Sequence, residues 1–343
     1  MVYSKRMINS RVEISIKTIL ITLSFIVIAW LLVLIRDILF LLFIAFLLMT
    51  AIHPVVSYLE RLHIPKIVGI LLVYIVLFGF FGVTVISALP TLIIQFGRLI
   101  QALPTAAGRI IPYGNLNISS ISQQIAPIGA SLVNVTFGIF SNIVTFLTVF
   151  AFTFYFLLER HQAEEIITSV LGESLSKDIM VLLRSIERRL GLWVRGELLL
   201  MTAVGLMSFI GLSILRVDFA LPLAILAGSL ELVPMIGPVL GAIPAVIVGL
   251  ATSPFLALSV IALYIIVQQL ENNVLVPVIM RKSVGLAPII TILVLLIGGR
   301  LAGVVGAILA VPVALVIQEL LTHYVTKSAM SGLRQRTKNS SKT

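Results

Sequence analysis

Three ionisable residues stand inside otherwise apolar stretches of the C-terminal half of the sequence: Glu231, Glu271 and Arg300. A charge at the centre of a bilayer costs about 2.5–3.5 kcal/mol on insertion scales, so such groups face a cavity, a partner or a transport pathway. From residue type alone, a structural ion pair or an interfacial position stays open for each, above all for Arg300 beside Gly298 and Gly299. Glu271 lies in a polar run with Gln268, Gln269, Asn272 and Asn273. Gln268, Glu271 and Asn272 share a helical face by i+3 and i+4 spacing. Such a run can hydrogen-bond a small polar solute, or it can join two helices.

The backbone around these residues is interrupted. Glu231-Leu-Val-Pro-Met-Ile-Gly-Pro-Val-Leu-Gly-Ala-Ile-Pro244 carries Pro234, Pro238 and Pro244 with Gly237 and Gly241. Farther on come Pro277, Gly285, Pro288, Gly298, Gly299, Gly303, Gly306 and Pro312. Proline removes a backbone donor and clashes with the preceding turn, and glycine loosens a helix. In lipid every freed N–H or C=O needs a partner, so non-helical backbone at membrane depth is buried in protein or lines a wet cavity. A plain proline kink, or close packing through Gly299-Arg-Leu-Ala-Gly303, would also use such residues. Two broken regions with acids between them favour a transport site, with Glu231, Pro234, Gly237, Pro238, Gln268, Gln269, Glu271, Asn272, Asn273 and Arg300 binding substrate or ion. Pro244, Pro277, Pro288, Gly298, Gly299, Gly303 and Pro312 are expected helix breaks. Val239-Leu-Gly-Ala-Ile243 echoes Val304-Val-Gly-Ala-Ile308, as an inverted repeat would.

Other chemistries find no residues. The chain has no cysteine, hence no thiolate ligand or nucleophile. It has no G-x-x-x-x-G-K-[ST] phosphate loop and no H-E-x-x-H zinc motif. His53, His63, His161 and His323 lie at span ends or in polar segments. No enzyme activity, cofactor or metal is expected.

The elements that carry these residues follow from composition. Of 343 residues, 59% are hydrophobic and 11% charged, against about 25% charged in an ordinary soluble domain. So few charges cannot cover a globule; lipid must be the solvent over most of the surface. The net charge of +10 then belongs to loops and tails that face anionic lipid, not to a nucleic-acid site. A span needs about 20 mostly apolar residues. After a basic N-terminus (1–17), spans are expected at Thr18–Ile35, Ile38–Leu59 and Ile67–Gly97. A polar extracytoplasmic loop subdomain (98–131) precedes a fourth span, Leu132–Leu158. Residues 159–197 form a charge-dense cytoplasmic stretch. Its second half is amphipathic, with Ile179, Leu182, Leu183, Ile186, Leu190, Trp193 and Val194 on one face. That face lies on the membrane surface or packs on other helices. Residues 198–322, starting with a fifth span to Leu215, form the transport region, and 323–343 a basic tail. Lys and Arg counts place both termini in the cytoplasm. The fold class is an all-α integral membrane protein of about eight transmembrane helices, with broken or re-entrant segments in the C-terminal half. Eight plain spans would put Arg281 and Lys282 outside; a re-entrant segment at 231–244 or 283–312 removes that conflict.

Four motifs in order carry a resemblance: Glu231 to Pro244, Gln269-Leu-Glu-Asn-Asn-Val-Leu-Val-Pro277, Val284-Gly-Leu-Ala-Pro288, and Gly298-Gly-Arg-Leu-Ala-Gly303 through Pro312. They resemble the autoinducer-2 exporter family of PerM-like permeases, as does the layout of nearly the whole chain. Where the family more often has histidine this sequence has Ala287, so any role of that side chain is absent. The resemblance implies an eight-span protein of the bacterial inner membrane, homo-oligomeric, in a family linked to autoinducer-2 export and in some members to sodium–proton antiport. The expected function is a secondary transporter that exports a small polar solute, such as an autoinducer-2-like signal, through the C-terminal half. Spans one to four would serve as scaffold and oligomer contact, with H+ or Na+ as coupling ion and lipid as surroundings. A Na+(Li+)/H+ antiporter is the alternative, and a structural or partner-binding membrane protein the third reading.

Overall fold

The computed structural model describes residues 16–79, 143–280 and 285–340. The expected loop subdomain at 98–131, most of the third span, the start of the fourth, and Arg281 and Lys282 lie outside the described residues. Among the described residues there are helices and no strands. Four stretches are long and apolar enough to cross a membrane: Arg36–Arg61, Glu164–Ile214, Pro254–Ile279 and Pro288–Val325. Shorter apolar helices accompany them. The protein is an all-α, multi-pass membrane protein.

The chain divides into two compact units at Ile44–Ala45. The first holds α1 (Ile16–Leu34) and the start of α2 (Arg36–Arg61). Phe25 is 72% exposed and Trp30 65%, and large apolar side chains point outward all round α1, the pattern of a helix in hydrocarbon. Arg36 and Asp37 form an exposed ion pair between α1 and α2.

In the second unit, the rest of α2 packs with α3 (Lys66–Gly79) and α4 (Ile143–Leu158). Met49, Ile52, Val56, Ile70, Tyr74 and Leu157 form their shared core. Polar groups inside it are satisfied locally. The Tyr74 hydroxyl donates to the Phe150 carbonyl at 2.8 Å. Thr153 Oγ1 donates to the carbonyls of Val149 (2.8 Å) and Ala45 (3.2 Å). Lys66 Nζ donates to the last carbonyl of α4, Leu158 O, at 3.2 Å.

Helix α5 (Arg160–Ile214) contains one backbone break, at Gly172 (φ 76°, ψ 163°). Only glycine enters that region readily. The chain reverses there, and its two arms are clasped by Arg160–Glu187 at 2.5 Å and Arg184–Glu164 at 3.0 Å. The second arm then runs unbroken from Glu173 to Ile214. The expected amphipathic helix and fifth span are therefore one element. Its apolar face is buried against other helices, with Leu190 0% and Trp193 4% exposed.

A backbone-directed contact ties α5 to α2. Pro54 sits inside α2 and has no N–H to offer the carbonyl one turn back, that of Thr50. Arg195 from α5 donates to Thr50 O at 3.1 Å and to Ala51 O at 3.3 Å. The approach is tight enough that a Cβ on Gly191 would run into the Thr50 carbonyl. An unpaired buried carbonyl costs about 1–3 kcal/mol. Arg195→Ala is expected to lower stability by about that amount in detergent unfolding curves. In a Pro54→Ala background, where the restored backbone N–H donates to the Thr50 carbonyl, the same change is expected to cost distinctly less.

Candidate functional site

The second arm of α5 carries a buried stripe: Leu190, Trp193, Val194, Glu197, Leu200, Val204, Ser208 and Leu212. It continues the apolar periodicity upstream, and one member is an acid. Helix α6 (Ala220–Leu230) and helix α7 (Gly237–Thr252) pack beside it as a hairpin. Their closeness rests on glycine. A Cβ on Gly241 would lie 2.9 Å from the Ala227 Cα, and one on Gly228 would lie 2.6 Å from the Met201 carbonyl oxygen. Between the arms, residues 231–236 make a turn in which Met235 takes a left-handed conformation (φ 67°). Glu231 stands at the end of α6. Helix α8 (Pro254–Leu270) opens on Ser253, whose hydroxyl accepts from the Leu256 N–H at 3.1 Å. It leads into a wide π-type turn, Glu271–Leu275, and a short helix α9 (Val276–Ile279).

Three carboxyls meet where these elements join. Glu231 is 1% exposed, Glu197 3% and Glu271 5%. The Glu231 and Glu271 carboxyls are within hydrogen-bonding reach of each other, and Glu197 is close enough to feel the charge of Glu271 and to act on Glu231. A bond between two carboxyls needs a proton on one of them. Gln268 Nε2 donates to Glu271 Oε2 at 3.1 Å. Among the described residues Glu197 Oε1 and Glu231 Oε2 are buried with no hydrogen-bond partner. No described lysine or arginine acts on the three groups, and no described set of side chains is arranged to ligate a metal ion. The site is a cluster of acceptors in apolar surroundings, suited to a proton, a monovalent cation or the donor groups of a polar solute.

A second hairpin packs on α5 as well. Helix α10 (Pro288–Ser340) is broken at Ala302 and Gly303 (φ 59°, ψ −139°). Its two arms touch through Gly298 and Gly306, each of which would drive a Cβ into the other's carbonyl. At the open end, Gln318 Nε2 donates to Gly285 O at 3.4 Å. Arg189 of α5 holds this end, donating to Gln318 Oε1 at 2.7 Å and to Glu319 Oε2 at 3.0 Å. Ser185 donates to Glu319 as well. The base of the first hairpin packs at Leu212, Val217 and Val248. Arg189 and Leu212 are about 35 Å apart along α5 at 1.5 Å per residue. The hairpins thus enter from opposite ends of α5. The first arm of the second hairpin, Pro288 to Leu301, rises only about 20 Å, short of a core about 30 Å thick. The chain reverses there, at Ala302 and Gly303.

The expected site residues separate into groups. Glu231, Gly237 and Pro238 are buried at the first turn, and Pro234 is partly buried within it. The π-type turn changes helical phase. Gln268 and Glu271 face inward, while Gln269, Asn272 and Asn273 are exposed, with Asn273 donating to Gln269 at 3.0 Å. Asn272 therefore does not share the face of Glu271. Arg300 is exposed near the second turn and is not among the clustered groups. Pro277 lies in the first turn of α9, Pro288 opens α10, and Gly303 makes the sharp break. Pro244 and Pro312 lie inside helices, and Gly298 and Gly299 are helical. One proline removes one hydrogen bond, whereas unwinding in lipid would orphan several backbone groups. The echoed segments occupy matching places: each follows a hairpin turn, and its glycine (Gly241, Gly306) packs on a small residue of the first arm (Ala227, Gly298). Residue type and charge density assign Glu197 to the polar stretch before it. The signal that finds it is its spacing of three and seven residues from Val194 and Leu190.

Comparison with known proteins places this geometry. The sequence profile of the AI-2E family transporters matches residues 19–326. The chain belongs to the AI-2E transporter family. It is 31% identical over 310 residues to YueF of Bacillus subtilis, a provisionally named transport protein, covering 83% of each chain. It is 36% identical over 126 residues to the AI-2 transport protein TqsA of Escherichia coli, covering 35% of this chain and 37% of that one. The protein is accordingly a membrane transporter.

The glycine contacts of the second hairpin separate packing from flexibility. Gly306→Ala and Gly298→Ala force the arms apart and are expected to cost about 1–3 kcal/mol in thermal unfolding in detergent. Gly299→Ala, with nothing within 4 Å of the added carbon, is expected to leave stability unchanged or raise it slightly.

Proposed function

We propose that this protein is a secondary transporter that exports a small polar solute such as autoinducer-2 across the bacterial inner membrane. The observation that carries the reading is the convergence of Glu197, Glu231 and Glu271 from three separate elements, each at most 5% exposed. Two of their oxygens are left without partners among the described residues. Buried acceptors left unpaired cost free energy that a bound donor returns. The two short hairpins, held at opposite ends of the α5 arm that carries Glu197, support access from either side in turn, as interrupted helices allow in other transporters. Relatedness to TqsA, named for AI-2 transport, supports the choice of solute.

In this reading α2, α3 and α4 are the scaffold, and the hairpins with α8 are the part that carries the solute. The Arg184–Arg195 end of α5 and both termini face the cytoplasm, in keeping with their basic residues. The protein works as a homo-oligomer, with H+ or Na+ as the ion exchanged.

Reconstituted vesicles loaded with autoinducer-2 test the assignment. Glu231→Gln, Glu271→Gln and Glu197→Gln are expected to lower flux about tenfold or more, equivalent to about 1.4 kcal/mol of lost binding, with normal expression and oligomer size. Full flux in all three variants sinks the site. A pH-sensitive dye in the same vesicles reads the ion: sodium-driven proton movement without solute flux replaces the exporter reading by an antiporter.

A further inference from the structure

A second polar region lies apart from the carboxyl cluster, where α2 meets the hairpin of α5. Two adjoining concavities of about 300 and 230 Å³ open there and share His53, Arg160 and Arg184 as a common wall. Lys66, Arg188 and Arg195 complete the basic lining. The acids are Glu60, Glu164 and Glu187. Glu187 is held by Arg160, and Glu164 by Arg184 at 3.0 Å. Arg195 is held by neutral carbonyls, which leave its charge uncompensated. Among the described residues Arg188 makes no ion pair, and it is exposed. The cleft therefore keeps an excess of positive charge after its internal pairs are made.

We propose that this cleft binds the phosphate group of an anionic phospholipid. Guanidinium groups present a planar fork of donors that matches phosphate oxygens, and here Arg184 and Arg188 offer it from one wall. His53 already accepts from Arg160 at 2.9 Å and approaches Ser57 Oγ at 3.3 Å, so the wall is built in advance of the ligand. The volumes sit at or below the lower limit of the roughly 300–1,000 Å³ that holds a drug-sized molecule, which suits a headgroup. The source of the phosphate follows from the surroundings. Val55 and Tyr58, on the turn of α2 that carries His53 and Ser57, are 49% and 63% exposed. They give acyl chains an apolar flank at the level where tyrosine and basic residues mark the membrane interface. The site is independent of the solute pathway and holds whatever the transported solute is.

The full chain purified in detergent provides the test. Phosphatidylglycerol or cardiolipin, added at the same molar ratio as phosphatidylcholine, is expected to raise Tm by about 2–4 °C over the zwitterionic lipid. It is also expected to stay bound in native mass spectrometry. Arg188→Gln and Arg184→Gln are expected to lose the extra shift and the bound lipid. Arg300→Gln, an exposed arginine near the turn of α10, is expected to keep both. Equal shifts from anionic and zwitterionic lipid overturn the proposal, as does a full shift with retained lipid in both cleft variants. A shift from inorganic phosphate with none from lipid overturns the lipid assignment.

Discussion

Hydrocarbon cannot hydrogen-bond, and most of this architecture follows from that single deficiency. Every carbonyl and N–H released within the membrane must be answered by protein. At Pro54 the answer is the guanidinium of Arg195, which reaches across from α5 to Thr50 and Ala51. At the end of α4 it is Lys66, and inside the α2–α4 core it is Tyr74 and Thr153. Each such answer also fixes a helix pair, so the polar exceptions do more than apolar packing to set which helix sits where. Side chains buried among lipid-facing helices have no hydrophobic reason to choose one neighbour over another; a donor seeking a carbonyl does.

The carboxyl cluster is the place where the rule is left incomplete. Among the described residues Glu197 and Glu231 each keep an oxygen with no partner, although four amide side chains flank the third acid, Glu271, in sequence. Gln269 points out of α8, and within the π-type turn at Glu271–Leu275 Asn272 and Asn273 are exposed as well. A site satisfied by its own amides would have no affinity left for anything else. Turning those amides outward keeps the acceptors open and still buries them.

Much of this was legible from residue types. Glu231 and Glu271 stand out because an acid in an apolar run is costly, and the turn after Glu231 follows from Pro234, Gly237 and Pro238. The all-helical membrane fold follows from how few charges there are to cover a surface. Contact between elements distant in sequence was not legible. Gly303 reads as one of several loosening glycines, and only the opposition of Gly298 and Gly306 shows that the chain folds back there. Prolines over-predict breaks, since Pro244 and Pro312 are absorbed within helices. Glu197 was hidden by its neighbours: a charged stretch ends where an apolar run begins, and the last acid of the first belongs to the buried stripe of the second.

That junction is one rigid rod. From Gly172 to Glu197 the helix extends about 37 Å at 1.5 Å per residue, with no further break. The rod has its one non-helical residue, Gly172, at one end and an acid of the cluster well along its length. Pivoting at Gly172 by about 5° would displace Glu197 by about 3 Å at that length, roughly one hydrogen bond. The ion-paired hairpin and Glu197 are thus carried by one continuous lever.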